Sequence, residues 1–261
     1  MKKLALALVF FAAVAAGRHS AMAATDLERV QKEGKLLVAI DATYPPMESE
    51  GDDGKPVGFD IDFANEVAKR LGVKADFVVM NWDGILAGLS SGRYDAIIST
   101  MNVTPEREKA ADFVEYVRMS QVFVSKKGGV QATSEKDLTG KVVAVQADTT
   151  SYDYVEKAKK AGVALKEMKA FKLATDAFAA LRAGQADLIV IDEPVARYYV
   201  KRDPGFFVIT GRALAPEPVG VATKKGDNAL HGAMVKAISG MKQDGTLKRL
   251  QDKWFGGELG A

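Results

Sequence analysis

Two oppositely charged residues, Arg107 and Asp192, stand just beyond apolar runs that read as buried strands. The stretch AIISTMNVTPEREKAADF (96–113) opens as such a run, turns polar at Ser99, Thr100 and Asn102, and restarts at Thr104-Pro105. That pair predicts a helix start, with Thr as the cap and Pro in the first helical position. Arg107 then falls third in the helix, at the positive end of its dipole, where an acid is favoured. A surface ion pair with Glu106 or Glu108 would account for it. So would an anion gripped by a bidentate guanidinium and free backbone N–H groups. Asp192 ends DLIVI and precedes EPVARYYV, a helix-like segment with Pro194 in its first turn. It could be a helix cap, or a carboxylate held out to an ammonium group. An anion site and a cation site facing one gap would read a zwitterion.

Other polar residues gather at comparable places. VQADTTSYDY (145–154) offers Asp148, Thr149, Thr150 and Ser151 at a helix start, more hydroxyls than one cap needs. IDATYPPMES (40–49) puts Asp41 at a strand end and Tyr44 before a double proline that keeps the loop extended. Trp82 opens a helix after another strand, as a packing anchor or as a cover for a ligand. Several chemistries are disfavoured. His231 is the one histidine beyond residue 23 and there is no cysteine, which argues against Ser-His-Asp and Cys-His nucleophile systems and against a His/Cys zinc site. No phosphate-binding glycine fingerprint follows a predicted strand. SEGDDGKPVGFD (49–60) lacks calcium-loop ligand spacing and reads as a turn at Asp53-Gly54 between short strands. No metal or cofactor is expected.

The elements that must carry these residues alternate. KLLVAI (35–40), ADFVVM (75–80) and DAIIST (95–100) read as strands, with helices at 59–72 and 82–92 between them. The pattern restarts with KVVAV (141–145), a helix near 149–161, ALKEM (164–168), a helix near 173–183 and DLIVI (187–191). Alternation of this kind predicts an α/β fold of parallel sheets flanked by helices. AGLSSGRYDAIIST (87–100) and AALRAGQADLIVID (179–192) align without gaps, which suggests two lobes built from one helix–turn–strand unit. Carboxyl ends of parallel strands are where open sheets bind ligands. Two β-rich segments, 116–128 and 215–226, read as crossovers. The first lobe is therefore expected to hold 24–118 and 220–261, and the second 119–219. The tail reads as a helix, a break at Gly245 and a second helix anchored by Trp254 and Phe255.

Residues 1–23 are set apart. Lys2 and Lys3 precede a short apolar run, and Ala21 to Ala23 form a small-x-small cleavage site, so a secretory leader cut near Ala23 is expected. Without Lys2, Lys3 and Arg18 the chain carries 33 basic and 34 acidic residues, which gives no reason to expect a nucleic-acid partner. A soluble monomer in the periplasm is expected.

YPPMES, GFDIDFANEVAKRLG, DAIISTMNVTPERE, DLTGKVVAVQADTT, LRAGQADLIVID and DGTLKRLQDKWFG together resemble the periplasmic polar-amino-acid-binding proteins, the soluble receptors of ABC importers (solute-binding family 3). The resemblance runs from about residue 33 to 256. It implies a two-lobed fold of the type II periplasmic binding protein class, joined by two crossover strands. It also implies a membrane permease as partner and a lysine/arginine/ornithine-, histidine- or glutamine-type ligand. By the same resemblance Arg107 grips the ligand α-carboxylate, with a backbone contact at Asn102 and the helix start at Thr149 and Thr150. Asp192, helped by Thr100, holds the α-ammonium, and Asp41, Tyr44, Trp82, Ser99 and Gln146 line the side-chain pocket. Asp148 departs from the pattern, since relatives carry glycine there. Relatives also include periplasmic cyclohexadienyl-type dehydratases and receptors for signalling, which leaves an enzyme and a sensor as alternatives. Asp41 favours a basic side chain over glutamine and disfavours an acidic one.

Overall fold

The computed structural model describes residues 25–259, and the expected leader at 1–23 lies outside them. The chain opens with α1 (Asp26–Glu33) and β1 (Lys35–Ile40), then three short strands β2 (Thr43–Tyr44), β3 (Glu48–Glu50) and β4 (Pro56–Val57). It continues through α2 (Phe59–Arg70), β5 (Lys74–Val79), α3 (Ile85–Ser90), β6 (Ala96–Ile97) and β7 (Ala111–Met119). A second series follows: β8 (Gln121–Lys126), β9 (Val142–Gln146), α4 (Thr150–Lys160), β10 (Glu167–Phe171), α5 (Ala174–Arg182), β11 (Leu188–Asp192), α6 (Glu193–Arg202) and β12 (Phe207–Thr210). The chain then returns through β13 (Glu217–Lys224) to α7 (Asn228–Gln243) and α8 (Thr246–Phe255).

Two five-stranded sheets result, ordered β5-β1-β6-β13-β7 and β10-β9-β11-β8-β12, beside a small sheet β2-β3-β4. The inner strands are parallel, β1 between β5 and β6, and β9 between β10 and β11. The strands from the crossover segments join antiparallel: β13 with β6 and β7, β8 with β11 and β12. Every residue of β9 and β11 is buried, as expected for strands with helices on both faces. The stripe of α2 facing the core carries Phe59, Phe63, Ala64 and Val67, and Phe63 stacks on Tyr116 of β7 with ring centroids 4.4 Å apart. Asp53-Gly54 lies between β3 and β4, and Gly245, at φ 75°, separates α7 from α8, both as expected. Among the described residues no helix is long and apolar enough to cross a membrane.

Four expectations need correction. The sheets are mixed rather than purely parallel, because the crossover strands run against the inner ones. The strand expected at 95–100 is paired at Ala96 and Ile97 alone, since Thr100 adopts φ 47° and turns the chain away. The helix expected at Thr104 is one short 3-10 turn, Arg107–Lys109. Thr104 Oγ1 does accept the Arg107 N–H at 3.2 Å, but Ala111 is already paired with Lys224 in the sheet, so no room is left for a longer helix. The strand expected at ALKEM also begins three residues late, at Glu167, in parallel register with Val142.

Gly58 sets the approach of α2 to β3. Its φ is 144°, and a Cβ there would meet the Met47 carbonyl oxygen at 2.1 Å. Gly58→Ala is expected to destabilise the fold by about 3 kcal/mol, to be read from urea unfolding monitored by far-ultraviolet circular dichroism.

Candidate functional site

Strand ends from both sheets converge on one cavity. Asp41 follows β1, Ser99 and Thr100 follow β6, Gln146 closes β9 and Asp192 closes β11. The space left between the touching lobes is small, about 20 Å³, room for little more than a water molecule. Of the expected residues, Asp41, Tyr44, Trp82, Ser99, Thr100, Asn102, Gln146, Thr149, Thr150 and Asp192 line it; Ser151, noted at the same helix start, joins them, and Glu48 does so unforeseen. Arg107 lies outside the lining, behind Asn102 and Trp82.

Asp192 occupies the capping position of α6, yet its side chain makes no capping hydrogen bond. Its Oδ2 instead accepts the Tyr44 hydroxyl at 2.8 Å, reaching across from the small sheet. Its Oδ1 is buried without a hydrogen-bond partner among the described residues. Burial pushes the carboxyl up to about 7, against the pull of the Tyr44 hydrogen bond. A buried carboxylate at the cavity wall with one oxygen unsatisfied suits a donor, and an ammonium is the donor that also neutralises it.

Asp41 is buried and also tied across the gap. Its Oδ2 accepts Gln146 Nε2 at 2.7 Å and its Oδ1 accepts the Thr43 hydroxyl at 2.9 Å. Burial raises its pKa, and the Gln146 and Thr43 hydrogen bonds hold it back. Ser99 Oγ accepts the Asp41 N–H at 2.9 Å and donates to Glu48 Oε1 at 2.7 Å. The Thr100 hydroxyl, expected to help with the ammonium, donates to buried Asp60 instead, at 2.8 Å.

Arg107 donates from Nη1 to the Asn102 carbonyl and from Nη2 to the Asp148 carbonyl, both at 2.9 Å, and its guanidinium sits 5.3 Å from the Trp82 ring centroid. Burial lowers its pKa, opposed by Asp153, Asp192, Glu217 and Asp148, and a guanidinium so placed keeps its charge. Trp82 Nε1 donates to the same Asp148 carbonyl at 2.9 Å. Asp148 adopts φ 59°, the left-handed conformation that Asp tolerates better than most residues. Its side chain is exposed, so its charge points away from the cavity while its carbonyl receives both donors. Thr149 caps α4, accepting the Tyr152 N–H. Thr150 donates to Asn102 Oδ1 at 3.2 Å, and Glu217 accepts from Asn102 Nδ2 at 3.2 Å and Gln121 Nε2 at 3.3 Å. The two lobes therefore touch through Tyr44–Asp192, Asp41–Gln146, Asn102–Thr150 and the paired donors to Asp148.

Glu48, Asp60, Gln121 and Glu217 escaped the sequence reading as site residues. Asp60 carried a signal, since it falls on the same helical stripe as Phe63, Ala64 and Val67.

Comparisons with known proteins identify the family and the fold. The family of bacterial extracellular solute-binding proteins, family 3, matches residues 36–257. The L-cystine-binding protein TcyJ of Escherichia coli K12 is 36% identical over 235 residues, covering 89% of this chain and 87% of its own. An ancestral arginine-binding protein bound to arginine superposes with a TM-score of 0.81 at 41% identity, covering 85% of this chain and 98% of that one. The ancestral amino acid-binding protein AncCDT-1, a precursor of cyclohexadienyl dehydratase, gives 0.81 at 37% identity, covering 88% and 99%.

Tyr44→Phe removes the donor to Asp192 Oδ2 and leaves a buried carboxyl with neither oxygen satisfied by a side chain. The variant is expected to lose about 1–3 kcal/mol of stability, measurable by chemical denaturation, and to titrate Asp192 at higher pH by carbon-detected NMR.

Proposed function

The chain belongs to the bacterial extracellular solute-binding proteins, family 3, and from that premise we propose that it captures an L-amino acid between its two lobes and delivers it to the membrane permease of an ABC importer. Residues 24–118 and 220–261 act as one lobe and 119–219 as the other. The protein works as a monomer in the periplasm once the leader at 1–23 has been cut near Ala23. It needs no cofactor and takes no nucleic acid. The observation that supports the reading is the placement of opposite charges on the two lobes around one cavity: Asp192 lines it and keeps a buried oxygen without a partner among the described residues, and Arg107 stands just behind Asn102, its two terminal nitrogens on the Asn102 and Asp148 carbonyls, from which they must turn to reach a ligand carboxylate. The carboxylate receives the ligand α-ammonium and the guanidinium its α-carboxylate. Thr149, Thr150 and the Asn102 backbone add donors and acceptors around the same end.

Each charge-assisted hydrogen bond contributes about 1.5–3 kcal/mol, and because the two ends are gripped from different lobes, the ligand favours the closed arrangement over the open one. The other end of the cavity carries Asp41, Ser99, Gln146 and the Trp82 ring. A buried carboxylate there favours a basic side chain, that of arginine, lysine, ornithine or histidine, over an amide. Cystine, the ligand named for one relative, is the principal competitor.

We read the protein as a carrier rather than a catalyst. Asp192 Oδ2 is engaged by Tyr44, and the remaining oxygen suits an ammonium. A dehydratase would need a proton donor over a substrate ring.

A thermal-shift screen of the amino acids, ornithine, citrulline and cystine on unfolded and refolded protein is the direct test. A ligand at about a hundred times its Kd adds about 2.7 kcal/mol. A basic amino acid is expected to give the largest shift, whereas turnover of prephenate or arogenate without any such shift would move the protein to the dehydratases. Arg107→Ala is expected to abolish calorimetric binding with the circular dichroism spectrum unchanged. Unaltered affinity in that variant would refute the assignment.

The Asp192 carboxyl titrates at about 7 because of burial. An ammonium binds its ionised form, so binding at lower pH must expel a proton. Affinity is expected to fall by up to about tenfold per pH unit below about 7. Calorimetry in buffers of differing ionisation enthalpy should show the proton released, and Asp192→Asn should bind weakly with a flat pH profile.

A further inference from the structure

Two acids, Glu48 in the cavity wall and Asp60 beneath it, are assigned no ligand contact in the proposed function. Glu48, at the start of β3, is 1% exposed, and Asp60, in the first turn of α2, is 0% exposed. Asp60 is well supplied with donors. Its Oδ2 accepts the Thr100 N–H at 2.6 Å and the Thr100 hydroxyl at 2.8 Å, and its Oδ1 accepts the Tyr116 hydroxyl at 2.6 Å. Glu48 is not. Its Oε1 accepts the Ser99 hydroxyl, while its Oε2 is buried without a partner among the described residues. The backbone brings the two acids together: the Asp60 N–H donates to the carbonyl of Met47, the residue before Glu48, at 2.9 Å, and the consecutive hydroxyls of Ser99 and Thr100 donate to Glu48 and to Asp60. The other titratable groups facing Glu48 are Asp41 beyond β1, Tyr44 on β2 and Tyr116 on β7, and none of these is a cation. Two ionised carboxylates side by side in a dry interior would be strongly unfavourable. One proton on Glu48 Oε2 removes the second charge and gives the orphan oxygen a hydrogen bond to make.

We propose that Glu48 and Asp60 share one proton, carried by Glu48, and that the pair acts as a positioning device for the lobe-one half of the ligand site. The positioning role rests on the reading of the cavity as an amino-acid site. Asp60, left ionised, holds both the N–H and the hydroxyl of Thr100, and so keeps a β-branched residue at φ 47°, where such residues are rarely found. That turn carries the chain from β6 to Asn102, which meets Arg107 and Thr150. Glu48 fixes the Ser99 hydroxyl, whose oxygen in turn accepts the Asp41 N–H. Burial lifts Glu48 well above the ordinary carboxylate range, with the charge of Asp60 adding to it. Burial also raises Asp60, but the hydrogen bonds from Tyr116, Glu48 and Thr100 pull it back, which leaves the proton on Glu48.

Glu48→Gln is the informative variant, because its amide oxygen can accept from Ser99 while its NH₂ donates to Asp60, in imitation of a neutral acid. Infrared difference spectroscopy of wild type against Glu48→Gln, without added ligand, should show a protonated-carboxyl band at neutral pH that the variant lacks. A spectrum of ionised carboxylates alone would overturn the shared proton. A group raised in the native state binds more protons there than when unfolded, so wild-type stability should decline as pH rises above the ordinary carboxylate range, and Glu48→Gln should decline less steeply.

In titrations with the amino acid identified by the screen, Glu48→Gln should keep affinity within about twofold, whereas Glu48→Ala should lose about tenfold or more, the scale of one hydrogen bond to a charged group. An equal loss in both variants would mean that Glu48 works as an anion, against the proposal. If Glu48→Ala does not fold, the Gln variant and the infrared band still decide. Absence of any amino-acid binding by the wild type would remove the positioning role together with the binding reading, and the band would report on the proton independently.

Discussion

A carboxylate withdrawn from water must be paired, hydrogen-bonded or protonated, and at Asp192 the protein leaves that requirement half met. Tyr44, reaching over from the other lobe, satisfies one oxygen; the second is buried without a partner among the described residues. The arrangement depends on chain topology. β11 delivers Asp192 at its carboxyl end, and Pro194, the second residue of α6, has no N–H to offer a capping side chain, so Asp192 makes no capping bond. Arg107 comes from the other sheet, carried on a single turn between Asn102 and β7. Because the opposite charges belong to separate lobes, a guest that carries both complementary charges is stabilised most where the lobes meet. The gain comes from contact and desolvation together, since the same pair in water would be worth little.

Backbone conformation carries as much of the site as side chains do. Thr100 and Asp148 are the non-glycine residues at positive φ among those described, and each follows a strand that ends at the cavity. Such conformations cost about 1–3 kcal/mol each unless their surroundings impose them. Each is imposed by a different means. Asp60 holds Thr100 from below through the N–H and the hydroxyl. Asp148 is held from across the gap, where Trp82 and Arg107 both donate to its carbonyl. The first constraint lies within one lobe and persists however the lobes are disposed. The second exists only while they touch.

The fold was legible because its signals are local and repeated. Apolar strands alternating with amphipathic helices, the gapless match of 87–100 with 179–192, and breakers such as Gly245 require no knowledge of distant contacts. What failed were endings. Nothing in DAIIST says that pairing stops at Ile97, because the cause is Asp60, far off in sequence, drawing Thr100 out of the sheet. Nothing in TPEREK says that one turn is all the space available, because the cause is the pairing of Ala111 with Lys224. The lining of the cavity was largely legible, since polar residues at strand ends are conspicuous after apolar runs. The supporting acids were harder. Glu48 looks like a solvated strand residue, and only the stripe that Asp60 shares with Phe63, Ala64 and Val67 marks it as an inward-facing charge.

Electroneutrality connects the supporting acids to the ligand. Asp41, Glu48 and Asp192 line the cavity and Arg107 stands behind it. With all three acids ionised, the site would carry a large negative excess, and no single amino acid would balance it. With the proton on Glu48, Asp41 and Asp192 still oppose Arg107, with Asp60 ionised beneath them and Glu217 on Asn102, so the surroundings stay negative. On the proposed reading, a ligand with two positive groups and one carboxylate reduces that excess, whereas a zwitterion leaves Asp41 with the uncharged Gln146 amide as its partner. Buried charge left over after closure is costly, so the closed state itself weighs the net charge of its guest. The shared proton would thus do more than hold Ser99 and Thr100 in place. It would set the charge against which the guest is measured, and a change in the protonation of Glu48 would alter selectivity without moving any atom that touches the ligand.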